Sequence, residues 1–576
     1  MNWNEQYNRW NNFSELDDQL RSKLTEMQED ELSLEDAFYK NLEFGTGGMR
    51  GKLGPGTNRM NIYTIRRAAE GMAHFIADKG KGWKSKGVVI AYDSRYMSQE
   101  FAIETARVLG RHGIQSYVFT SLRPTPELSF AVRFLQAAAG VMVTASHNPP
   151  EYNGFKVYNE DGGQLPPAQA EVMIDFVNQV ENELSVDAAE QATIEENGLL
   201  EWIDDKVDRA YLKELRSVNF NPQITHDQIG DFNVVFSPLH GTARMLVEAG
   251  FEQIGLADNY YLVEEQQDPD PEFSTVDSPN PEEHQAFALA IEKGKAVNAD
   301  VLIATDPDAD RLGIAVPDGA GDYTVLTGNQ TGALMLDYIL SQEDDLPDNG
   351  LMLKTIVTSE FGRAIAEHYN IATEDTLTGF KFIGEKIREY ERTGEYEFLF
   401  GYEESYGYLI KDFARDKDAV QSVMLAAEMA VYWKAKGKTL LEALYDLYDQ
   451  HGYYLEDLQS LKLEGKVGVE KIQSIMENFR EAPMKEAGGI NVTTLEDYAT
   501  STRWDVQEGS KSDINLPKEN VLKFILEDNS WFCLRPSGTE PKIKFYYGVK
   551  MGSKKECDQR LLAIKQTVND KLNTLT

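Results

Sequence analysis

VMVTASHNPPEYNGFKVY (141–158) runs an apolar stretch directly into a polar cluster. The stretch reads as a buried β-strand. Asn148 and the Pro149–Pro150 pair then prevent helical continuation. The strand therefore delivers Ser146 into an irregular loop where its hydroxyl can project. His147 stands next to it, and Lys156 returns on the following strand. A Ser–His pair alone is better explained by a polar turn after a strand, so its meaning depends on the surrounding chain. Around it, GVVIAY (87–92), SYVFT (116–120) and GVMVTAS (140–146) alternate with amphipathic stretches such as FAIETARVLGRHG (101–113). That alternation is the rhythm of an α/β fold.

The rhythm restarts near residue 232, with FNVVFS (232–237) and the apolar VLIATD (301–306). A third round begins near 326, with LMLKTIVTS (351–359), a helix from Glu360 and YEFLFGYEES (396–405). After about 440, helical segments precede VLKFILED (521–528), SWFCLRPS (530–537) and KIKFYYGVK (542–550), and a charged helix (553–572) follows. Residues 1–40 are acidic and helix-prone, FGTGGMRGKLGPGTNRMN (44–61) reads as a Gly-rich basic loop, and 180–198 as a helix and exposed loop. The expected architecture is three related mixed α/β domains, 1–210, 211–322 and 323–440, and a smaller α+β domain, 441–576.

Net charge is −38, from 57 basic and 95 acidic side chains among 576 residues. Such a surface repels nucleic acid and anionic membrane, so neither is an expected partner. It repels any anionic ligand too, so a site for one must gather Arg, Lys, metal and backbone N–H groups locally. Cys533 and Cys557 make no disulfide framework or metal motif. No apolar run approaches the ~20 residues of a membrane span, and the N-terminus lacks a secretory pattern. A cytoplasmic location is expected.

Other segments carry candidate chemistry. In IATDPDADRLG (303–313), Asp306, Asp308 and Asp310 alternate with small residues directly after the apolar strand. Three such carboxylates repel one another unless a hard divalent cation neutralises them. Leu312 and Gly313 follow, which excludes an EF-hand; the plain alternative is a solvated acidic turn. FLFGYEESYGYLIKDFARDKD (398–418) offers Glu403, Glu404 and Ser405 in a loop after a strand, suited to vicinal hydroxyls, with Arg415, Lys417 and Asp418 at a charged helix start. LRPSGTEPKIKFYY (534–547) puts Arg535, Ser537, Gly538 and Thr539 together, as an oxyanion requires. Further basic groups lie in FGTGGMRGK (44–52), with Arg50 and Lys52, in AYDSR (91–95), and in TGFKFIG (378–384), with Thr378, Gly379 and Lys381. Histidines such as His240 read as structural.

Taken together and in this order, TASHNP, DPDADR, GYEES and RPSGTEPK, with FGTGGMRG near the start, closely resemble the α-D-phosphohexomutase superfamily. The resemblance spans residues 44–547. It implies four domains around a central cleft, with Ser146 as the phosphorylated residue. It implies one Mg²⁺ per subunit, held by Asp306, Asp308, Asp310 and the phosphate on Ser146. Glu403 and Ser405 would hold sugar hydroxyls, with Arg311, Thr378, Gly379, Lys381 and Lys417 also lining the substrate. Arg535, Ser537, Gly538 and Thr539 would hold the non-reacting phosphate. Arg50, His147, Lys156 and Arg311 match basic positions near the transferring group. Lys156, Lys417 and His147 are all candidates for the proton acceptor. The long N-terminal segment and the FGTGGMRG wording are most similar to the group of phosphoglucomutases and phosphopentomutases. The expected reaction interconverts α-D-glucose 1-phosphate and glucose 6-phosphate through a phosphoserine and glucose 1,6-bisphosphate. Alternatives are a pentose-phosphate or other phosphohexose mutase, a phosphatase using the same Asp loop, and a non-enzymatic sugar-phosphate binder.

Overall fold

The apolar run before Ser146 forms a middle strand of a six-stranded sheet. In sheet order the strands are Met49–Lys52, Tyr152–Tyr158, Ala139–Val143, Val88–Tyr92, Ser116–Phe119 and Leu200–Ile203. The last four run parallel, and the first two are antiparallel at one edge. Every residue of Ala139–Val143 is buried. A strand covered on both faces needs apolar side chains at each position, which is why it reads as a run rather than an alternation. The structure is a computed structural model describing residues 2–45, 47–227, 230–463, 465–537 and 542–575. Within the supposed Gly-rich loop, Met49–Lys52 is an edge strand, paired Met49 to Phe155 through Lys52 to Tyr152.

The second sheet repeats the plan. Its order is Tyr323–Val325, Leu312–Pro317, Val301–Thr305, Val234–Ser237 and Tyr260–Leu262, parallel over the last three and antiparallel at the other edge. In both sheets a buried parallel strand runs into a polar loop, and the chain returns antiparallel beside it. The hairpin of Glu397–Glu403 and Gly407–Leu409 has the same strand–loop–return form. Each of the three loops contains one non-glycine residue in the left-handed region: Ser146 (φ 53°), Ala309 (φ 54°) and Tyr406 (φ 66°). Such backbone costs about 1–3 kcal/mol and collects where a loop has a task.

The chain divides into two compact units, residues 1–331, 341–350 and 380–440 in one and 332–340, 351–379 and 441–576 in the other. The first contains both sheets, the hairpin just described, and the N-terminal helices Trp3–Asn11, Asp18–Glu26 and Glu31–Phe38, whose Trp10, Leu24 and Phe38 side chains share a core with Tyr63 of the helix Ile62–Asp78. The second contains a parallel strand pair, Leu351–Thr355 against Ala372–Thr376. It also holds a C-terminal sheet flanked by helices Gly465–Glu481 and Lys554–Asn573. Against the sequence reading, LMLKTIVTS leaves the strand at Thr355, and 180–198 forms only a short turn, Glu183–Ser185, and a short helix, Gln191–Glu196. Among the described residues no helix is long and apolar enough to cross a membrane.

Candidate active site

Ser146 leaves its strand through a tight local network. Its N–H donates to Thr144 Oγ1 at 2.8 Å, and Thr144 N–H donates to Gly154 O at 3.2 Å. Gly154 is required there, since a Cβ would sit 2.4 Å from the Thr144 carbonyl oxygen. The Ser146 hydroxyl donates to Asp306 Oδ2 at 2.8 Å and lies 3.2 Å from His147 Nδ1. The first two loops thus meet through the serine. Arg50, on the edge strand, donates to Asn148 Oδ1 at 2.9 Å and so also reaches this loop.

Asp306, Asp308 and Asp310 are all buried, and one carboxylate oxygen from each lies within 4.8 Å of the others. Asp306 Oδ1 accepts the backbone N–H groups of Asp310 (3.0 Å) and Arg311 (2.9 Å). Lys156 Nζ lies 2.7 Å from Asp308 Oδ2 and 3.3 Å from Asp310 Oδ2, and Lys417 Nζ is 3.2 Å from Asp310 Oδ2. Yet Asp308 Oδ1 and Asp310 Oδ1 are buried with no hydrogen-bond partner among the described residues. Buried, unpaired carboxylate oxygens are costly. An all-oxygen trio with two orphaned lone-pair sites fits a hard divalent cation.

The electrostatics follow from this crowding. Burial, then the charges of Asp308 and Asp310, pushes Asp306 well above the usual carboxylate range. Burial acts the same way on Asp310, but Lys417, Lys156 and Arg311 outweigh it and hold the group low. Desolvation would lower Lys156 and Lys417, but their aspartate neighbours raise both. Desolvation, then Arg311 and Arg50, depresses His147 well below the ordinary imidazole value.

The third loop joins the cluster through the backbone and one long side chain. Leu312 N–H donates to Tyr406 O at 3.0 Å, and Ala419 N–H to Ala309 O at 3.1 Å. Gly407 leaves room for Lys417, since a Cβ there would fall 2.1 Å from the Lys417 Cδ. Glu403 is the last residue of its strand, opposite Gly407, rather than a loop residue; Ser405 lies in the turn. Arg311 pairs with Glu282 and is held high by Glu282, Asp310, Asp306 and Glu403 against the effect of burial. Arg415 precedes the charged start of the helix Ala419–Ala435, which Asp418 caps. It is fully buried and pairs with Asp161 (3.1 Å) and Glu391 (2.6 Å).

Lys381 follows the bend at Thr378–Gly379, as the sequence suggested, and lies in the first turn of the helix Phe380–Thr393, its ammonium 5.1 Å from the Phe382 ring centre. Phe380, at the start of that helix, lies under Lys417 at 5.6 Å. Thr378 and Gly379 immediately precede it; Gly379 has φ 118°, and Thr378 Oγ1 is buried with no hydrogen-bond partner among the described residues. In the second unit, Arg535 is the penultimate residue of the strand Trp531–Pro536 and donates to Glu519 Oε1 at 3.1 Å. Ser537 N–H donates to Lys542 O at 2.7 Å. Gly538 and Thr539 lie outside the described residues.

Two side chains at the site carry more structure than their sequence suggested. Arg95, read only as one basic residue of AYDSR, is buried and donates to four carbonyls of the serine loop: Ser146, Asn148, Pro149 and Tyr152. It is a positioning residue for the left-handed turn at Ser146. Thr125, at the start of the helix Thr125–Phe134, holds Asp308 twice. Its N–H donates to the carbonyl at 2.9 Å and its hydroxyl to Oδ2 at 3.0 Å. The Asp-Ser-Arg turn was a visible signal for Arg95; nothing near Thr125 in sequence announces its partner. His240 is fully engaged, with Nδ1 3.0 Å from Asp268 O and Nε2 2.8 Å from Thr275 Oγ1.

Comparison with known proteins agrees with this geometry. The profiles described as phosphoglucomutase/phosphomannomutase alpha/beta/alpha domains I, II and III match residues 41–183, 209–319 and 327–451, and that of the C-terminal domain matches 464–560. A phosphoglucomutase of Staphylococcus aureus (strain bovine RF122 / ET3-1) is 40% identical over 538 residues, 93% of this chain and 95% of the relative. One from Staphylococcus epidermidis is 40% identical over 537 residues, 93% and 94%. Among solved structures, the Paramecium phosphoprotein pp63/parafusin superposes with a TM-score of 0.69 at 17% identity, over 93% of this chain and 95% of the other. A phosphoglucomutase/phosphomannomutase family protein of Burkholderia thailandensis gives 0.63 at 20%, over 92% and 97%. These two likenesses speak for the fold. With four profiles matched in chain order and the serine, aspartate and lysine loops converging as described, the chain belongs to the phosphoglucomutase/phosphomannomutase family, a mutase with three mixed α/β domains and a separate C-terminal sheet domain.

Proposed function

We propose that this enzyme interconverts α-D-glucose 1-phosphate and glucose 6-phosphate through a phosphoserine at Ser146 and a glucose 1,6-bisphosphate intermediate, in the cytoplasm. One observation carries the reading: the Ser146 hydroxyl stands 2.8 Å from Asp306 in a buried carboxylate trio flanked by Lys156 and Lys417. The name of the Staphylococcus relatives supports a glucose substrate.

Asp306, Asp308 and Asp310 would hold Mg²⁺. When bound, the ion supplies positive charge that offsets the three carboxylates and stabilises the transferring phosphoryl group. The residues of the chain do the rest. The P–O bond at Ser146 Oγ breaks as a sugar hydroxyl oxygen bonds to the same phosphorus. The hydroxyl proton passes to His147, or to Lys156 or Lys417 once that ammonium, which its aspartate neighbours keep protonated, has given up a proton of its own. Arg50 and Arg311 add positive charge around the transferring group. The bisphosphate turns over, and its other phosphate returns to Ser146 Oγ. Glu403, Ser405, Lys417, Lys381 and the Thr378–Gly379 backbone would orient the sugar. Arg535 and Ser537, with Gly538 and Thr539, would take the phosphate that is not reacting.

A side-by-side assay on glucose 1-phosphate and ribose 1-phosphate with Mg²⁺ tests the reading. A higher kcat/KM on glucose 1-phosphate is expected, with total ester phosphate conserved. A reversed ranking moves the assignment to a pentose phosphate, and net phosphate release makes the chain a phosphatase.

Arg535→Ala checks the phosphate clamp. Losing one charge-assisted partner costs about 1.5–3 kcal/mol, so affinity for glucose 6-phosphate should fall roughly ten- to a hundredfold. The variant also loses the Arg535–Glu519 pair, so its melting temperature is measured beside the titration. Wild-type affinity in a folded variant would remove Arg535 from the site.

A further inference from the structure

A second convergence of metal-type ligands lies outside the serine and aspartate loops. Glu70 and His74 sit four residues apart on the helix Ile62–Asp78, and so on one face of it. His112 directly follows the helix Ser98–Arg111. His74 Nε2 is 3.2 Å from Glu70 Oε1, and His112 Nε2 is 2.7 Å from Glu70 Oε2. Two imidazoles, one on a helix face and one at the end of a second helix, thus aim the same nitrogen at the two oxygens of one carboxylate. Their rings meet edge-on, 5.4 Å apart at 89°. One ligand atom from each of the three residues lies within 4.8 Å of the others.

A pair of surface ion pairs would account for either contact alone. It does not require two imidazoles to converge on one carboxylate. That donor set, two nitrogens and an oxygen, suits a borderline transition metal, whereas the all-oxygen aspartate trio suits Mg²⁺. Donor atoms around a tetrahedral zinc lie about 3.3 Å apart, given Zn–N and Zn–O bonds of about 2.0–2.2 Å. The 3.2 Å contact already has about that spacing, whereas the 2.7 Å contact, made to the other carboxylate oxygen, is a hydrogen bond that opens by about 0.6 Å when an ion replaces its proton. The three side chains are 20–42% exposed. They border a cavity of about 640 Å³ that also carries Glu181, Asp187 and Arg111, giving an ion both an entry path and room for water at a fourth position. The two carboxylates offset the positive charge of Arg111, which itself pairs with Asp187 at 3.0 Å.

We infer that Glu70, His74 and His112 bind a transition-metal dication of the Zn²⁺ class, pinning the end of one helix to the face of the other, at a site separate from the aspartate trio. The site uses no substrate-binding residue, so its occupancy is read by binding and stability.

The test uses the full chain in excess Mg²⁺, which fills the aspartate site. Zn²⁺ is titrated by calorimetry, and thermal unfolding is followed with and without Zn²⁺. Wild type should take up one Zn²⁺ per chain and melt higher with it. Co²⁺ as a probe should give the intense visible bands of a tetrahedral nitrogen–oxygen site. In His74→Ala/His112→Ala the affinity should fall on the order of 100-fold or more, because changes merely around metal ligands already cost 10–100-fold. The Zn²⁺-dependent rise should vanish, and Mg²⁺-dependent turnover should stay as in wild type. If that variant folds poorly, Glu70→Gln gives the same reading, since it keeps the shape and removes the anionic ligand. No Zn²⁺ uptake by wild type in Mg²⁺, or equal uptake by the variants, overturns the site.

Discussion

Ser146→Ala is expected to abolish turnover of glucose 1-phosphate while leaving the protein folded. Removing an enzymatic nucleophile costs on the order of 10⁴–10⁶ in rate. The neighbouring hydroxyl cannot substitute: Thr144 Oγ1 is committed to the Ser146 N–H and sits on the strand side of the turn. The backbone there is held by Arg95 through four carbonyls, none of which involves the serine side chain. Loop geometry should therefore survive, and the melting temperature should change little. The variant loses the hydrogen bond to Asp306, worth about 1 kcal/mol or less against that group's existing backbone partners, and the longer contact with His147 Nδ1. A steady-state assay read beside a thermal melt checks this. A folded variant with more than a tenth of wild-type activity would contradict the nucleophile assignment.

Asp308→Asn should cut the rate roughly 10²–10³-fold, the scale of losing one electrostatic stabiliser of a transition state. The substitution keeps the shape and the Thr125 contact available, but removes the charge that holds Lys156 at 2.7 Å and one of the two orphaned oxygens offered to a cation. Mg²⁺ affinity should weaken with it, since a hard cation loses an anionic ligand. In wild type, exhaustive chelation should remove activity and added Mg²⁺ restore it. Full activity after chelation, or a variant with unchanged Mg²⁺ dependence, would remove the trio from the mechanism.

The readable parts of the fold are those whose physics is local. Ala139–Val143 and Val301–Thr305 announce themselves because burial on both faces demands unbroken apolar runs. The polar clusters behind them are legible for the same reason, since Pro149–Pro150 and the alternating aspartates cannot continue a helix or a packed strand. Less is visible where the partner is distant. Met49–Lys52 looks like loop because its strand character comes from pairing with residues a hundred positions later. Tyr453–Lys462 is a ten-residue strand with mostly polar outer positions, and it shows little in sequence. Arg95 and Thr125 act on Ser146 and Asp308 across 51 and 183 residues. Nothing in AYDSR specifies which carbonyls its arginine will meet. The need for glycine at 407 likewise appears only once Lys417 is seen passing over it.

The central claim is that Ser146 Oγ carries the phosphoryl group between sugars. The direct measurement is phosphate mapping through a single turnover. The protein is charged with labelled glucose 1,6-bisphosphate and Mg²⁺, part is quenched and digested, and the rest is chased with unlabelled glucose 1-phosphate. The label should map to the peptide containing Ser146 before the chase and move onto sugar phosphate during it, at a rate no slower than kcat. Turnover proceeding with Ser146 unlabelled, or with a label on Ser146 that the chase does not remove, would contradict it.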